Sequence, residues 1–339
     1  GSRKLIMKAV SPGKLIISGE HSVVYGCPAL SMAIDRSAVF ELTAQKSRQI
    51  SFDLAEGQSE SYTLLTLRDL KKRVERKYDQ FLNGDIGISY VLAAPADLFR
   101  FAFIHALDSL HRSLDSGVIM KLRSTIPIGC GLGSSAATVL SELRALGHYL
   151  RVDFKPEWYY EYSLEVEKFQ HGYPSGIDSF TSLNGGCAYF KNGEGKKLPL
   201  PQLKMFLVET GIPKSSTGEC VQEVRSNFKS SSIWSEFTEV TEKIVDELNN
   251  KNDINIISLI RENHKLLNKI GVVPQNICNF INEIEVDGGA AKICGAGSIK
   301  GDSAGAIIVF SEKMPDKLCN KYGFKVSSVR GDPLGTRLI

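Results

Sequence analysis

The chain has 339 residues, of which 42% are hydrophobic and 23% are charged. This composition is typical of a folded globular protein and excludes intrinsic disorder, and the length predicts two domains. The 41 basic and 38 acidic residues leave a formal net charge of only +3, too balanced to indicate a nucleic-acid-binding surface. The longest apolar stretch, residues 91–107, is interrupted by Pro95, Asp97 and Arg100. It falls short of the roughly 20 apolar residues that a membrane span requires.

The cysteines and histidines show no metal-ligand or disulfide pattern. The seven cysteines are odd in number and form no Cys-x-x-Cys pair, and the six histidines show no His-x-x-x-His spacing. This usage favours reduced thiols over a disulfide framework or a zinc site. We therefore expect a cytoplasmic two-domain enzyme, with neither a nucleic acid nor a membrane as its partner.

The first half of the chain begins with short strand patterns and continues with helical ones. Residues 15–17 and 38–42 are β-rich runs separated by glycine and proline. Residues 68–77 form a mixed charge run that is typical of a solvated helix face. Apolar spacing predicts a helix over 95–110 and a strand over 118–122, and a long helical pattern follows the glycine-rich segment as far as Leu150.

The second half is dominated by helical stripes. Residues 193–202 combine Gly, Lys and Pro and predict a hairpin or a linker. Two stripes at helical spacing predict core-facing helices, one made of Ile233, Phe237, Val240, Ile244 and Leu248 and the other of Ile256, Ile257, Ile260 and Leu267. A glycine-rich loop over 288–301 then precedes a strand over 306–310. The mixture predicts an α+β fold with domains 3–200 and 201–339, although a boundary near 225 fits almost equally well.

The sharpest local signal is the glycine-rich segment 127–137, which leads into the long helical pattern. Its glycines let the backbone approach a ligand, and a following helix N-terminus favours an anion, so the segment predicts a phosphate cradle. Ser134 or Ser135 is expected to cap that helix. The segment is not a Walker A loop, because no Gly-Lys-Ser/Thr follows, and its glycine spacing differs from that of a dinucleotide-binding loop.

Two further segments give the glycine-rich loop a context. Residues 11–26 contain Pro-Gly-Lys and Gly-Glu-His around an apolar strand, and residues 292–298 contain Gly-Ala-Gly. The three blocks, in this order, resemble the GHMP small-molecule kinases over nearly the whole chain. The resemblance implies a two-domain α+β fold, with an N-terminal domain like the second domain of ribosomal protein S5 and a ferredoxin-like C-terminal domain.

Residues 165–179 resemble the stretch of the mevalonate kinases that carries a metal-ligand Glu and a catalytic Asp. Residues 210–218 resemble the segment of that family that lies near the substrate. The resemblance implies magnesium- and ATP-dependent phosphorylation of the 5-hydroxyl of mevalonate, a step of isoprenoid biosynthesis. It leaves open another GHMP kinase substrate (phosphomevalonate or a sugar), a non-catalytic metabolite sensor, and the question of whether the protein forms a homodimer.

The same resemblance assigns roles to individual residues. Lys14 and Asp178 would be catalytic, and Ser135 and Glu167 would bind magnesium. The residues that would contact mevalonate are Lys14, Glu20, His21, Asp178 and Thr217. ATP would be held by Pro127, Gly129, Gly131, Leu132, Gly133, Ser134, Ser135 and Ala136 in the first glycine-rich loop, and by Gly295, Ala296 and Gly297 in the second. The loop over 298–305 is longer than in the family pattern.

Overall fold

The computed structural model describes residues 6–54 and 59–339, so residues 3–5 and 55–58 of the predicted first domain lie outside it. The strands within these ranges are β1 (Ile6–Ser18), β2 (Ala29–Gln45), β3 (Ile50–Asp53), β4 (Ser59–Tyr62), β5 (Gly117–Ser124), β6 (Cys187–Lys191), β7 (Glu194–Leu198), β8 (Met205–Glu209), β9 (Ala290–Ile293), β10 (Ala306–Phe310), β11 (Lys325–Val329) and β12 (Arg337–Leu338). The helices are α1 (Leu64–Leu82), α2 (Asp97–Ser109), α3 (Ser134–Tyr149), α4 (Pro156–His171), α5 (Ile177–Asn184), α6 (Thr217–Phe228), α7 (Ile233–Asn250), α8 (Ile256–Lys269), α9 (Gln275–Val286) and α10 (Asp316–Tyr322).

The strands form two sheets. The first has the order β12-β1-β2-β5-β3-β4, with β6 added beside β2 and β7 beside β6. Its pairs are antiparallel except for the parallel pair β3–β5. The second sheet has the order β11-β8-β10-β9 and is antiparallel throughout. The predicted α+β class is confirmed.

Strand β1 is much longer than the predicted run 15–17. It continues through Pro12 and Gly13 because its register with β2 shifts between Pro12 and Lys14. A proline lacks the N–H that a regular ladder needs, and such an irregularity in the pairing accommodates it. Pro-Gly therefore bends this strand without ending it, and Lys14 stays within the sheet.

Helix α3 covers the first sheet and contacts β1, β2 and the helices α2, α4 and α5. The side chains that it buries include Val139, Leu140, Leu143 and Leu146. Burial of such aliphatic groups stabilises the domain by roughly 1.5–3 kcal/mol each. The N-terminus of α3 is thereby fixed at the end of the glycine-rich segment.

The helices of the second half pack as the stripes predict. The five residues of the α7 stripe are all buried, as are Ile256, Ile260 and Leu267 of α8. Helices α8 and α9 cover β9, and α7 also contacts β1 and β2 of the first sheet. Helix α7 also packs on α8, so these two helices connect the first sheet with the helical layer of the second.

Strand β9 corrects the prediction of a continuous loop over 288–301. Its four residues are buried and pair with β10. The strand is short and is flanked by glycines on both sides, so the sequence pattern gives it no separate signal. Its pairing positions the loop that follows it, Gly295–Gly297.

The segment 193–202 forms the second strand of a hairpin, because β7 pairs with β6 around Asn192 and Gly193. Sheet membership changes between Leu198 and Met205, yet β12 near the C-terminus returns to β1. A domain boundary at 200 stays a prediction. In the described ranges we find no helix with the length and apolarity of a membrane span.

Candidate active site

Lys14 and Asp178 meet although they lie far apart in sequence. Lys14 lies on β1, and its Nζ is 3.3 Å from Oδ1 of Asp178 in the first turn of α5. The Lys14 side chain is 6% exposed, whereas that of Asp178 is 39% exposed. The Lys14 ammonium also donates to the carbonyl oxygen of Gly131 at 2.9 Å. The two residues to which the resemblance assigns catalysis are therefore in contact, with the carboxylate on the solvent side.

The glycine-rich loop lies against the same lysine. Gly129, Gly131 and Gly133 have φ angles of +73°, +78° and +70°, in the left-handed region that glycine adopts without strain. A Cβ at Gly133 would lie 3.1 Å from Cγ of Lys14, a tight contact that would force the lysine side chain to shift. The backbone of β1 also joins the loop, because the amide of Lys14 donates to the carbonyl oxygen of Leu132 at 2.9 Å.

The predicted serine cap of α3 is wrong. The N-cap residue is Gly133, and no side chain caps the helix. Ser134 is already the first helical residue, and the Ser135 hydroxyl is directed elsewhere. The first N–H groups of a helix carry partial positive charge and have no partner within the helix. The uncapped N-terminus of α3 is therefore suited to a phosphate.

Ser135 and Glu167 lie side by side. The Ser135 hydroxyl lies 2.6 Å and 2.8 Å from the two carboxylate oxygens of Glu167, whose side chain is 4% exposed. Both groups offer the hard oxygen atoms that magnesium prefers. A carboxylate this deeply covered requires partners, and the described contacts supply the serine hydroxyl and one histidine.

That histidine, His171, is a site neighbour to which the sequence assigned no role. Its Nε2 lies 3.1 Å from Oε2 of Glu167. Burial lowers the pKa of His171, but the hydrogen bond with Glu167 and the charge of that carboxylate outweigh burial, so the net pKa is raised. The signal was available in the sequence, since residues four apart on a helix lie on the same face.

Glu20 and His21 lie at the end of β1 and contact the second half of the chain. His21 is 2% exposed, and its Nε2 donates to the carbonyl oxygen of Ala296 at 2.8 Å. Burial lowers the pKa of His21, which favours the neutral ring. The Glu20 side chain is 2% exposed and lies 3.1 Å from the Lys292 ammonium. Its carboxylate therefore faces this buried lysine, and its role as a substrate ligand stays a prediction.

The second glycine loop approaches the first. A Cβ at Gly131 would lie 3.4 Å from Cα of Gly295. The longer segment that follows Gly297 is anchored at both ends: the Ser298 amide donates to the carbonyl oxygen of Val272, and the Gly305 amide to that of Gly211, each at 2.9 Å. The structure thus brings both predicted phosphate loops to one place.

Thr217 is exposed at the first position of α6, after the N-cap Ser216. Its neighbour Ser215 is buried, and Ser215 Oγ accepts hydrogen bonds from the Ile299 amide and the Ser298 hydroxyl. Ser215 thus contacts the loop after Gly297 through its side chain. The substrate role of Thr217 stays a prediction.

Comparison with known proteins extends these observations. The family described as GHMP kinases N terminal domain matches residues 100–186. The mevalonate kinase of Archaeoglobus fulgidus is 31% identical over 333 residues, covering 91% of this chain and 98% of that protein. That of Methanocaldococcus jannaschii is 28% identical, covering 94% of this chain and 98% of that protein.

Solved structures agree with the sequence relatives. One crystal structure of a mevalonate kinase has a TM-score of 0.80 at 26% identity and covers 97% of this chain and 99% of its own. The structure of the Methanococcus jannaschii mevalonate kinase has the same TM-score at 25% identity, with the same coverage. A galactokinase from Lactococcus lactis, at 14% identity and a TM-score of 0.72, shares the fold, covering 100% of this chain and 96% of its own. The chain therefore belongs to the mevalonate kinase family of the GHMP kinases.

Proposed function

We propose that this enzyme transfers the γ-phosphoryl group of ATP to the 5-hydroxyl of mevalonate, giving 5-phosphomevalonate and ADP for isoprenoid biosynthesis. The observation that carries the proposal is the contact of Lys14 with Asp178 beside two glycine loops. This combination provides a charged pair for a hydroxyl group and backbone amides for a polyphosphate. Family membership over most of the chain supports mevalonate as the acceptor.

In the proposed mechanism, Asp178 orients the acceptor hydroxyl and takes its proton. A primary alcohol is a weak nucleophile at neutral pH, so its proton needs an acceptor as the oxygen attacks the γ-phosphorus. The oxygen–phosphorus bond forms while the bond from the γ-phosphorus to the bridging oxygen of ADP breaks. The Lys14 ammonium, 3.3 Å from Asp178, stabilises the negative charge that develops on the attacking oxygen.

The glycine loops and the N-terminus of α3 would hold the ATP phosphates. The backbone of Gly131–Ala136 is assigned the polyphosphate because α3 begins there without a side-chain cap. Gly295–Gly297 would close over it from the second sheet, since Gly295 lies against Gly131. Both loops position the γ-phosphorus and take no part in proton transfer.

Ser135 and Glu167 would hold magnesium, because their oxygen atoms converge and both are hard donors. When bound, magnesium neutralises charge on the phosphate oxygens. His171 would keep the Glu167 carboxylate in place through its 3.1 Å contact. We also propose a cytoplasmic location, which the seven free thiols among the described residues support.

A coupled ADP-release assay tests the proposal with four acceptors: mevalonate, phosphomevalonate, galactose and homoserine. We expect kcat/KM for mevalonate to exceed that for each of the others by at least about tenfold, because the site discriminates at the transition state. Mass spectrometry of the product should show a single added phosphoryl group. A preference for another acceptor, or ADP release that does not depend on an acceptor, would contradict the proposal.

A further inference from the structure

The second sheet contains a fully buried lysine that the proposed chemistry does not use. Lys292 lies on β9, and its side chain is 0% exposed. Its ammonium donates to the carbonyl oxygens of Ile16 and Ile293, at 2.6 Å and 2.5 Å, and lies 3.1 Å from Oε1 of Glu20. Two of the three ammonium donors bond these carbonyl oxygens, and the Glu20 carboxylate lies at ion-pair distance without a hydrogen bond among the described residues. A buried charge persists only with such partners.

Two of these three oxygens belong to the first sheet and its following turn. Ile16 lies on β1, and Glu20 follows the end of that strand. The buried oxygens of Glu20 have no hydrogen-bond partner in the described part of the chain, so the Lys292 ammonium is the charge that compensates this carboxylate. Lys292 therefore joins β9 to β1 by a side chain, in addition to the backbone bond from the Ile16 amide to the Cys294 carbonyl oxygen at 3.2 Å.

Both strands joined in this way carry parts of the site. Strand β1 carries Lys14, two residues before Ile16, and β9 runs directly into the loop Gly295–Gly297. His21, next to Glu20, donates to Ala296 of that loop. The contacts of Lys292 thus lie between the strand that carries Lys14 and the strand that leads into the second glycine loop.

We propose that Lys292 is a positioning residue for phosphoryl transfer and that Glu20 acts through it, not by touching the substrate. The inference rests on the proposed function for its kinetic consequence. Without the ammonium, β9 and its loop would shift relative to Lys14. A misplacement of about 1 Å in such a site can lower turnover about 10²-fold.

The test uses Lys292→Met, Glu20→Gln and the double variant. Each single change leaves one buried charge without its partner, so we expect both single variants to lose stability for reasons unrelated to positioning. The double variant removes both charges and so avoids that penalty. It still lacks the bonds to Ile16 and Ile293, and it decides the question if Lys292→Met fails to fold.

Arg100→Met is the matched control. Arg100 is another buried cation, paired with Asp97 at 2.8 Å on α2, and it has no proposed role in the site. Its loss should lower the melting temperature and leave kcat and ATP binding unchanged. The comparison separates general destabilisation from misplacement of the loops.

Measurements are made well below each melting temperature. We expect the double variant to lose kcat by about 10- to 10²-fold and to bind a non-hydrolysable ATP analogue about tenfold more weakly by calorimetry. Wild-type kcat and analogue affinity in the folded double variant would overturn the inference. Binding of the ATP analogue needs no acceptor, so the calorimetric measurement tests the inference whether or not the wild-type enzyme phosphorylates mevalonate. Failure of the wild-type enzyme to phosphorylate mevalonate would instead refute the proposed function.

Discussion

Gly131 lies where we propose that the ATP phosphates bind. It has φ +78°, and a Cβ there would lie 3.4 Å from Cα of Gly295. We expect Gly131→Val to raise the KM for ATP more than that for mevalonate, because the side chain would stand where phosphate and the second loop meet the backbone.

Gly193→Val is the control for backbone strain. Gly193 has a φ angle of +79° in the β6–β7 turn, and a Cβ at this position would have no atom within 4 Å. Each substitution should lower the free energy of unfolding by roughly 1–2 kcal/mol, because a residue with a Cβ is strained at a positive φ angle. Of the two positions, only Gly131 lies in the proposed site. Equal ATP affinity in the two variants, measured by titration calorimetry, would make the loop at Gly131 purely structural.

Glu167 allows a similar comparison for the metal. Glu167→Gln keeps the shape of the side chain but weakens a charged oxygen ligand, so we expect the magnesium concentration for half-maximal activity to rise about tenfold or more. Glu165→Gln is the control, because Glu165 lies on the same helix, is 59% exposed and pairs with His105. An unchanged magnesium dependence in Glu167→Gln would remove Glu167 from the site.

At the residue scale, the sequence indicated which residues to consider better than it indicated which side chains they contact. The segment around Ser134 and Ser135 begins α3, as predicted, but the capping role is wrong because the Ser135 hydroxyl turns to Glu167 on α4. The partner of a hydroxyl depends on tertiary packing, which spacing within one segment does not encode. The burial of Glu20 against Lys292 could not be predicted for the same reason.

Among the elements, α8 carries a group that makes stability depend on pH. His264 is 4% exposed, and burial, with help from the charges of Lys292 and Lys265, lowers its pKa to about 4. The unfolded chain binds a proton at an ordinary pKa near 6.5 while the folded chain does not, so stability falls as the pH falls from 6.5 towards 4. Between pH 7 and pH 5 this residue alone should cost about 2 kcal/mol.

Urea unfolding at pH 7 and pH 5 checks this expectation. His264→Asn removes the titrating ring, so the fall in unfolding free energy between the two pH values should shrink by about 2 kcal/mol. His111→Asn is the control, since His111 is exposed and should leave the fall unchanged. An identical pH dependence in wild type and His264→Asn would contradict the assignment.

At the scale of elements, long amphipathic helices were predictable and short strands were not. The α7 stripe contains five buried residues at helical spacing, and this spacing can be recognised in the sequence without knowledge of what the helix packs against. Strand β9 has four residues and is flanked by glycine, and β1 contains Pro12 and Gly13, so local patterns gave the wrong extent for both. The lengths of these strands depend on pairing with segments that are distant in sequence, and a local sequence pattern carries no information about such pairing.

The fold of the whole molecule brings together the residues of the proposed site, which are distant in sequence. Lys14 comes from β1, Asp178 from α5, and the loop Gly295–Gly297 from the second sheet. Resemblance to a family indicated that the blocks belong together, but the distances among them come only from the folded chain. The central claim is that Lys14 and Asp178 act as one unit on the acceptor hydroxyl.

The most direct test of that claim is rapid-quench measurement of phosphoryl transfer by Asp178→Asn. The amide keeps the size of the side chain and removes its charge, so kcat should fall by about 10²–10⁴ while ATP affinity stays near that of wild type. Asp53→Asn, which removes a carboxylate paired with Arg123 at 3.2 Å, should leave kcat unchanged. The double variant Lys14→Met/Asp178→Asn should lose less kcat than the product of the two single fold-losses. Retention of more than about a tenth of wild-type kcat by Asp178→Asn, a barrier change below about 1.4 kcal/mol, would contradict the account.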